Sequence, residues 1–183
     1  LRPDLIVAWH SGNAASQMQK LRAFGIPIFE SQPTDYAMIA SSLERLAILS
    51  NTPEGMKAAA DFRTREQALE QTYRSRSPVS VFYQIWSQPL MTLSGKHMAS
   101  AVLRTCGGAN IFADLPQLAP SVSIEAVISA DPTAILSPDD TRERPFDQWR
   151  RFGKMKAVAS GNLFTVHADW MNRPGPRILD ATE

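Results

Sequence analysis

Three tryptophans of this 183-residue chain stand where short apolar runs end, and their side chains could bind a ligand. Trp9, Trp86 and Trp170 each lie at or just past the carboxyl end of a predicted strand. Ligands of open parallel α/β sheets bind outside that end of the strands. Indole rings placed there could form flat apolar walls, although each ring could equally pack at the rim of the core. The spacing therefore predicts a ligand-binding role for all three.

Two histidines occupy comparable positions after predicted strands. If the two parts of the chain face each other, His10 and His167 could approach one ligand from opposite sides, as axial or metal ligands do. The alternative is that both are ordinary polar loop residues, because nothing else stands at metal-ligand spacing. Cys106 is the only cysteine, so no disulfide framework and no cysteine-built zinc site is expected. We predict no metal site, and His10 is kept as a ligand-binding candidate.

The chain lacks the common sequence signatures of catalysis. It has no glycine-rich phosphate loop, no nucleophile elbow and no zinc-protease motif. Ser11 beside His10 does not make a triad, because adjacent residues at a strand end point apart and no orienting acid is identified. We therefore predict no catalytic residues, and a binding protein is favoured over an enzyme.

The elements that must position these side chains form a repeated pattern. Residues 1–9 and 130–137 are similar Pro- and Asp-marked entries into buried strands, each followed by helix-like and apolar segments. This predicts an α/β fold with two Rossmann-like lobes and a cleft between them. Apolar runs predict strands, and 3.6-residue periodicity predicts helices. Strands are predicted over 5–8, 26–29, 79–86, 133–136 and 163–166, and helices over 14–24, 35–50, 53–75, 94–106, 124–129 and 146–151.

The helix predicted after Pro53 is long enough to connect two lobes. Thr34 is expected to cap the preceding helix, and Thr52 is expected to cap this one. Its ~23 residues would span roughly 35 Å. The predicted division is a partial N-terminal lobe over 1–33, connecting helices including this backbone helix over 34–77, and a C-terminal lobe over 78–183.

Charge and hydropathy exclude two classes of partner. Nineteen Lys and Arg against eighteen Asp and Glu give a net charge of +1, without the basic stripe that nucleic-acid binding needs. No apolar run approaches the roughly 20 residues of a membrane-spanning helix. The chain begins at Leu1 without Met or an export signal. We therefore expect a truncated product whose N-terminal lobe is incomplete.

Several segments together resemble one family of transport proteins. They are residues 1–9 with Gly12-Asn13, Ser94–Lys96, Cys106–Phe112, Val122–Glu125, Asp169-Trp170 and Pro176–Ile178. In this order along essentially the whole chain, they resemble the helical-backbone (class III) substrate-binding proteins of bacterial ABC importers, and most closely the periplasmic cobalamin-binding members.

The resemblance implies functional positions as well as a fold. Trp9, Asp169, Trp170 and Arg173 match positions that contact the ligand in the cobalamin binders, and the loop 87–91 would form a further wall. Glu125 matches a surface glutamate that pairs with arginines of the importer's permease subunits. It further implies a periplasmic location, no intrinsic cofactor, two lobes joined by one rigid helix and little closure of the lobes on binding.

Four functional hypotheses remain open from the sequence. A cobalamin-like ligand would use flat aromatic walls and a few hydrogen bonds to amides, which Trp9, Trp170, Asp169 and Arg173 could supply. Haem would need an axial His or Tyr, and an anionic ferric siderophore would need clustered arginines. A two-lobed enzyme of the chelatase type is the fourth hypothesis, with His10 and Asp169 as its only available pair.

Overall fold

Contacts within the chain divide it into two units, residues 1–33 and 34–183. The structure is a computed structural model that describes residues 3–139 and 144–183. The sequence also predicts a charged turn over 138–145, of which residues 140–143 lie outside the described residues. The finer division into three parts stays a prediction.

The N-terminal unit is a single βαβ step. Strand β1 (Ile6–Trp9) pairs in parallel with β2 (Ile28–Ser31), and helix α1 (Ala15–Ala23) connects them. The chain leaves α1 through Gly25, whose φ of 71° is the left-handed conformation that glycine adopts readily. Strand β2 begins two residues later than predicted. Just before it, the Pro27 carbonyl accepts a hydrogen bond from the Ile6 N–H at 2.9 Å.

Two helices open the C-terminal unit, α2 (Tyr36–Ser50) and α3 (Glu54–Tyr73). Asp35 caps α2 by accepting from the Met38 N–H at 2.8 Å, so the prediction that Thr34 is the cap was wrong. The predicted Thr52 cap was wrong too, because Pro53 precedes α3 and no side chain caps it. At 20 residues α3 is about 30 Å long.

A four-stranded parallel sheet forms the centre of the C-terminal unit. Its strand order is β6-β3-β7-β8. The bounds are β3 Val79–Tyr83, β6 Gly108–Asn110, β7 Ala134–Pro138 and β8 Leu163–Val166. All three pairings are parallel, which confirms the α/β class expected from the sequence.

Both faces of this sheet are covered by helices. Successive side chains of a strand point to opposite faces, and β3 follows that rule. Val81 and Tyr83 pack in one core cluster with residues of α2, α3 and α4, while Phe82 packs in a second cluster. The remaining helices are α4 Met98–Thr105, α5 Ile124–Ala130, α6 Asp147–Arg150, α7 Lys156–Ala159 and α8 Ala168–Met171.

Several predicted elements of this unit have different bounds in the structure. Strand β3 ends at Tyr83 rather than at residue 86, and Trp86 lies in a separate hairpin of β4 (Trp86–Ser87) and β5 (Leu90–Met91). Helix α4 begins four residues later than predicted, where His97 caps it. Residues 108–110, for which the sequence predicts no strand, form β6 by pairing with β3.

Candidate functional site

Trp9 presents an exposed indole at the end of β1. The residue is 52% exposed, and its ring lies over Gly12. A Cβ added at Gly12 would stand 2.6 Å from Trp9 Cε3, so any other residue there would displace the ring. The Asn13 amide donates to the Trp9 carbonyl at 2.5 Å. The backbone around Trp9 is thus held by a local contact while one face of the indole stays open.

His10 is engaged by a neighbouring strand rather than free. It begins a short 3-10 helix, His10–Gly12, and its Nδ1 lies 2.5 Å from the Glu30 carboxylate on β2. Arg22 pairs with the other oxygen of Glu30. The His10 hydrogen bond and the Arg22 charge hold the pKa of Glu30 below its usual range despite opposing desolvation. One nitrogen of His10 is therefore committed to Glu30.

Trp86 projects from the β4–β5 hairpin. The pairing is antiparallel, with Trp86 opposite Met91. The indole N–H donates to the Gln88 carbonyl at 2.7 Å, yet the residue remains 55% exposed. Because its only polar group is satisfied within the hairpin, Trp86 offers a ligand an apolar face and no hydrogen bond.

Three predicted site residues come together at helix α8, which follows β8 directly. Trp170 stacks on His167, with ring centroids 4.5 Å apart and planes 14° from parallel. Asp169 Oδ1 lies 3.0 Å from Arg173 Nη2, one turn further along. The segment was predicted as the end of a strand, and the structure makes Ala168–Met171 a helical turn instead.

The base of α8 is fixed to the carboxyl ends of two other strands. The Ala168 N–H donates to Asp139 Oδ1 at 2.9 Å, just after β7. The Tyr83 hydroxyl at the end of β3 donates to Asn172 at 2.9 Å, and Met171 is buried. Trp170, Asp169 and Arg173 thus stand on a turn anchored at the sheet edge where ligands of parallel sheets bind.

A buried glutamine that the sequence analysis did not single out lies at the same edge. Gln84 follows β3 directly and is 1% exposed. Its Oε1 accepts from Trp149 Nε1 (2.7 Å) and from Gln148 Nε2 (3.0 Å), while its Nε2 donates to Ser87 (3.0 Å) and to Pro145 (3.1 Å). Only the tertiary contacts distinguish it from other glutamines.

Glu125 lies in the first turn of α5 and is exposed. Ser123 caps this helix by accepting from the Ala126 N–H at 3.1 Å. Among residues 3–139 and 144–183, no basic side chain forms an ion pair with Glu125. Its carboxylate is thus available at the surface, at a helix end whose dipole favours negative charge.

Comparison with known protein families identifies the chain. The family described as periplasmic binding protein matches residues 1–170. The chain belongs to this periplasmic binding protein family. The resemblance seen in the sequence to substrate-binding proteins of this kind is confirmed.

Relatives of the same family include proteins named for their ligand. The vitamin B12-binding protein of Vibrio cholerae is 42% identical over 185 residues, covering 100% of this chain and 67% of that protein. The vitamin B12-binding protein of Photorhabdus laumondii is 40% identical, and the chain covers 66% of its length. The crystal structure of the periplasmic vitamin B12 binding protein of Vibrio cholerae superposes with a TM-score of 0.89 at 40% identity, covering 98% of this chain and 71% of that one.

More distant periplasmic binding proteins share the fold alone. The haem-binding protein of Roseiflexus sp. RS-1 superposes with a TM-score of 0.84 at 19% identity, covering 98% of this chain and 73% of that one. In the part of this family member that the structure describes, no helix is long and apolar enough to cross a bilayer. No group of three or more His, Cys, Asp or Glu side chains in the described residues is arranged to hold a metal ion.

Proposed function

We propose that this periplasmic binding protein captures a cobalamin-like ligand in the periplasm and delivers it to an ABC importer. The observation that carries the proposal is the similarity along the chain to vitamin B12-binding proteins, at 42% identity and with a TM-score of 0.89 for a solved member. The chain spans 66–67% of the length of these curated relatives. The activity of the whole protein is therefore part of the proposal.

We propose ligand contacts for each unit by itself. Trp9 and His10 would contribute from the N-terminal unit, and Trp86, Trp170 and the Asp169–Arg173 pair from the C-terminal unit. The exposed indole faces of Trp9 and Trp86 suit a large, flat and nearly neutral ring system.

The polar members of this set suit the amide groups at the edge of such a ligand. Asp169 accepts hydrogen bonds and Arg173 only donates them. Because they already neutralise each other at 3.0 Å, the pair favours a neutral polar group over an anion. This supports a corrin with amide side chains over an anionic ferric siderophore, which would require unpaired arginines.

The arrangement also supports a binding role without catalysis. The relatives named above are binding proteins, and His10 is hydrogen-bonded to Glu30 rather than to a group that a substrate would present. Haem binding is the second candidate, because solved haem-binding proteins share the fold and His167 is a possible axial ligand.

Calorimetry with three ligands tests these alternatives. The purified chain is titrated with cyanocobalamin, hemin and a ferric hydroxamate, and visible spectra are recorded in parallel. We expect saturable heat with cyanocobalamin and weaker or no binding of the other two. Tight hemin binding with a shifted Soret band and no heat from cyanocobalamin would overturn the proposal in favour of haem.

Docking on the importer is proposed to use Glu125. Glu125→Lys reverses the charge of an exposed carboxylate that has no ion-pair partner among the described residues, so we expect weaker binding to the permease subunits of a vitamin B12 importer in detergent. Glu54→Lys is the matched control, because Glu54 is also an exposed glutamate in the first turn of a helix. Equal binding by the two variants would remove Glu125 from the docking surface, while ligand affinity should be unchanged in both.

A further inference from the structure

The buried amide of Gln84 connects three segments at the carboxyl end of β3. A primary amide has two donor hydrogens and two acceptor lone pairs, and all four are used here at 2.7–3.1 Å. The partners are Ser87 in the β4–β5 hairpin, the Pro145 carbonyl before α6, and Gln148 and Trp149 within α6. Fully satisfied buried networks of this kind fix their members in one arrangement.

The hairpin that carries Trp86 requires such an anchor. Each of its strands is two residues long, and isolated two-stranded hairpins are marginally stable at best. Backbone bonds hold its second strand, with the Val122 N–H donating to Leu90 and the Ile85 N–H donating to Met91 (both 3.0 Å). The first strand is held to the rest of the unit by the side-chain hydrogen bond that Gln84 donates to Ser87.

The contact with Ser87 determines where Trp86 points. Consecutive residues of a strand direct their side chains to opposite sides. Because the Ser87 hydroxyl faces inward to Gln84, the adjacent Trp86 indole must face outward, in agreement with its 55% exposure. Rotation of the hairpin would require breaking the bond inside the buried network.

We propose that Gln84 is a positioning residue for the ligand site, which holds the exposed face of Trp86 in place through Ser87. This inference rests on the proposed function, in which Trp86 contacts the ligand. Gln84 itself does not touch the ligand, because it is 1% exposed. Its role is to keep an apolar wall ordered before the ligand arrives, which lowers the entropy cost of binding.

A double-mutant cycle with cyanocobalamin tests this role. Gln84→Met would remove four hydrogen bonds and lower stability, so Ser87→Ala, which removes only the connection to the hairpin, carries the test. We expect Trp86→Ala to weaken affinity about tenfold and Ser87→Ala to weaken it about threefold. In a Trp86→Ala background Ser87→Ala should have no further effect, and Ser87→Thr, which keeps the hydroxyl, should restore affinity.

Ser80→Ala is the matched control. Ser80 lies near the other end of β3 and makes a side-chain hydrogen bond of the same length, 3.0 Å, to Thr133. We expect it to lower stability without changing affinity. If Ser87→Ala has no effect on affinity, or has the same effect with and without Trp86, the positioning role is overturned. The role is equally overturned if Trp86→Ala leaves cyanocobalamin affinity unchanged.

A second measurement does not depend on the ligand. The chain contains four tryptophans, so 5-fluorotryptophan labelling gives a small set of fluorine resonances, and Trp86→Phe assigns the one from Trp86. We expect Ser87→Ala to shift and broaden that resonance and Ser80→Ala to leave it unchanged. If wild-type protein fails to bind cyanocobalamin while this resonance responds as expected, the proposed ligand is wrong and the positioning of Trp86 stands. An unaltered resonance in Ser87→Ala refutes the positioning.

Discussion

The stability of the C-terminal unit should depend on the neutral state of His97. This imidazole caps α4, with Nδ1 accepting from the Ala99 N–H at 3.1 Å. Burial lowers the pKa of His97 from 6.5 to about 4. Protonation would place an N–H on Nδ1 against the Ala99 N–H, so the cap would be lost together with the neutral buried ring.

The sign and size of the effect follow from proton linkage. The unfolded chain takes up a proton at His97 near pH 6.5, whereas the folded chain does so only near pH 4. The free energy of unfolding should therefore be highest above pH 6.5 and fall as the pH decreases towards 4. One pKa unit corresponds to about 1.4 kcal/mol, so the loss should reach about 2 kcal/mol at pH 5 and about 3 kcal/mol in full.

Urea unfolding followed by circular dichroism, between pH 8 and pH 5, measures this dependence. His97→Asn is the comparison variant, because Asn is a good helix cap that does not ionise. Carboxylates titrate in both proteins, so the difference in the free energy of unfolding between wild type and variant isolates the contribution of His97. We expect this difference to change by about 2 kcal/mol between pH 7.5 and pH 5. An equal difference at both pH values would refute the reasoning.

Three further substitutions have expected outcomes. Gly12→Ala should displace the Trp9 ring, because the new Cβ would lie 2.6 Å from Trp9 Cε3. Calorimetry should then find a reduced affinity for cyanocobalamin, and an unchanged affinity would remove Trp9 from the ligand contacts. Trp149→Phe deletes the bond to Gln84 in a fully buried site and should cost about 2 kcal/mol in urea unfolding, whereas a neutral result would contradict the importance of that network. Ile135→Val removes one methyl group from a fully buried position and should cost about 1 kcal/mol by the same measurement, and no change would mean that the core relaxes around the gap.

Sequence patterns predicted the regular elements wherever the local signal was strong. The apolar runs of β1, β7 and β8 and the periodic helices α2 and α3 lie within a few residues of their predicted bounds. Strand β6 was missed because Gly108-Ala109-Asn110 has little intrinsic strand preference, and its conformation comes from pairing with β3.

Side-chain partners of the candidate site could not be derived from the sequence. Trp86 was predicted at the end of a strand, but the chain turns after Tyr83 and Gln84 takes the buried position there. The pairing of His10 with Glu30 depends on β1 and β2 lying side by side. Such contacts join residues distant in sequence, so they are visible only once the fold is known.

The position of β3 inside its sheet has a consequence for how the protein forms. Strand β3 lies between β6 and β7, and both partners come later in the chain, each after an intervening helix. No strand of this sheet can pair with its partner through a tight turn, so every ladder closes a long loop. Folding dominated by such non-local contacts is slow. Until β6 and β7 are in place, the run Val79–Tyr83 is an unpaired β-prone segment, and this is where we expect incompletely folded chains to be most prone to aggregation.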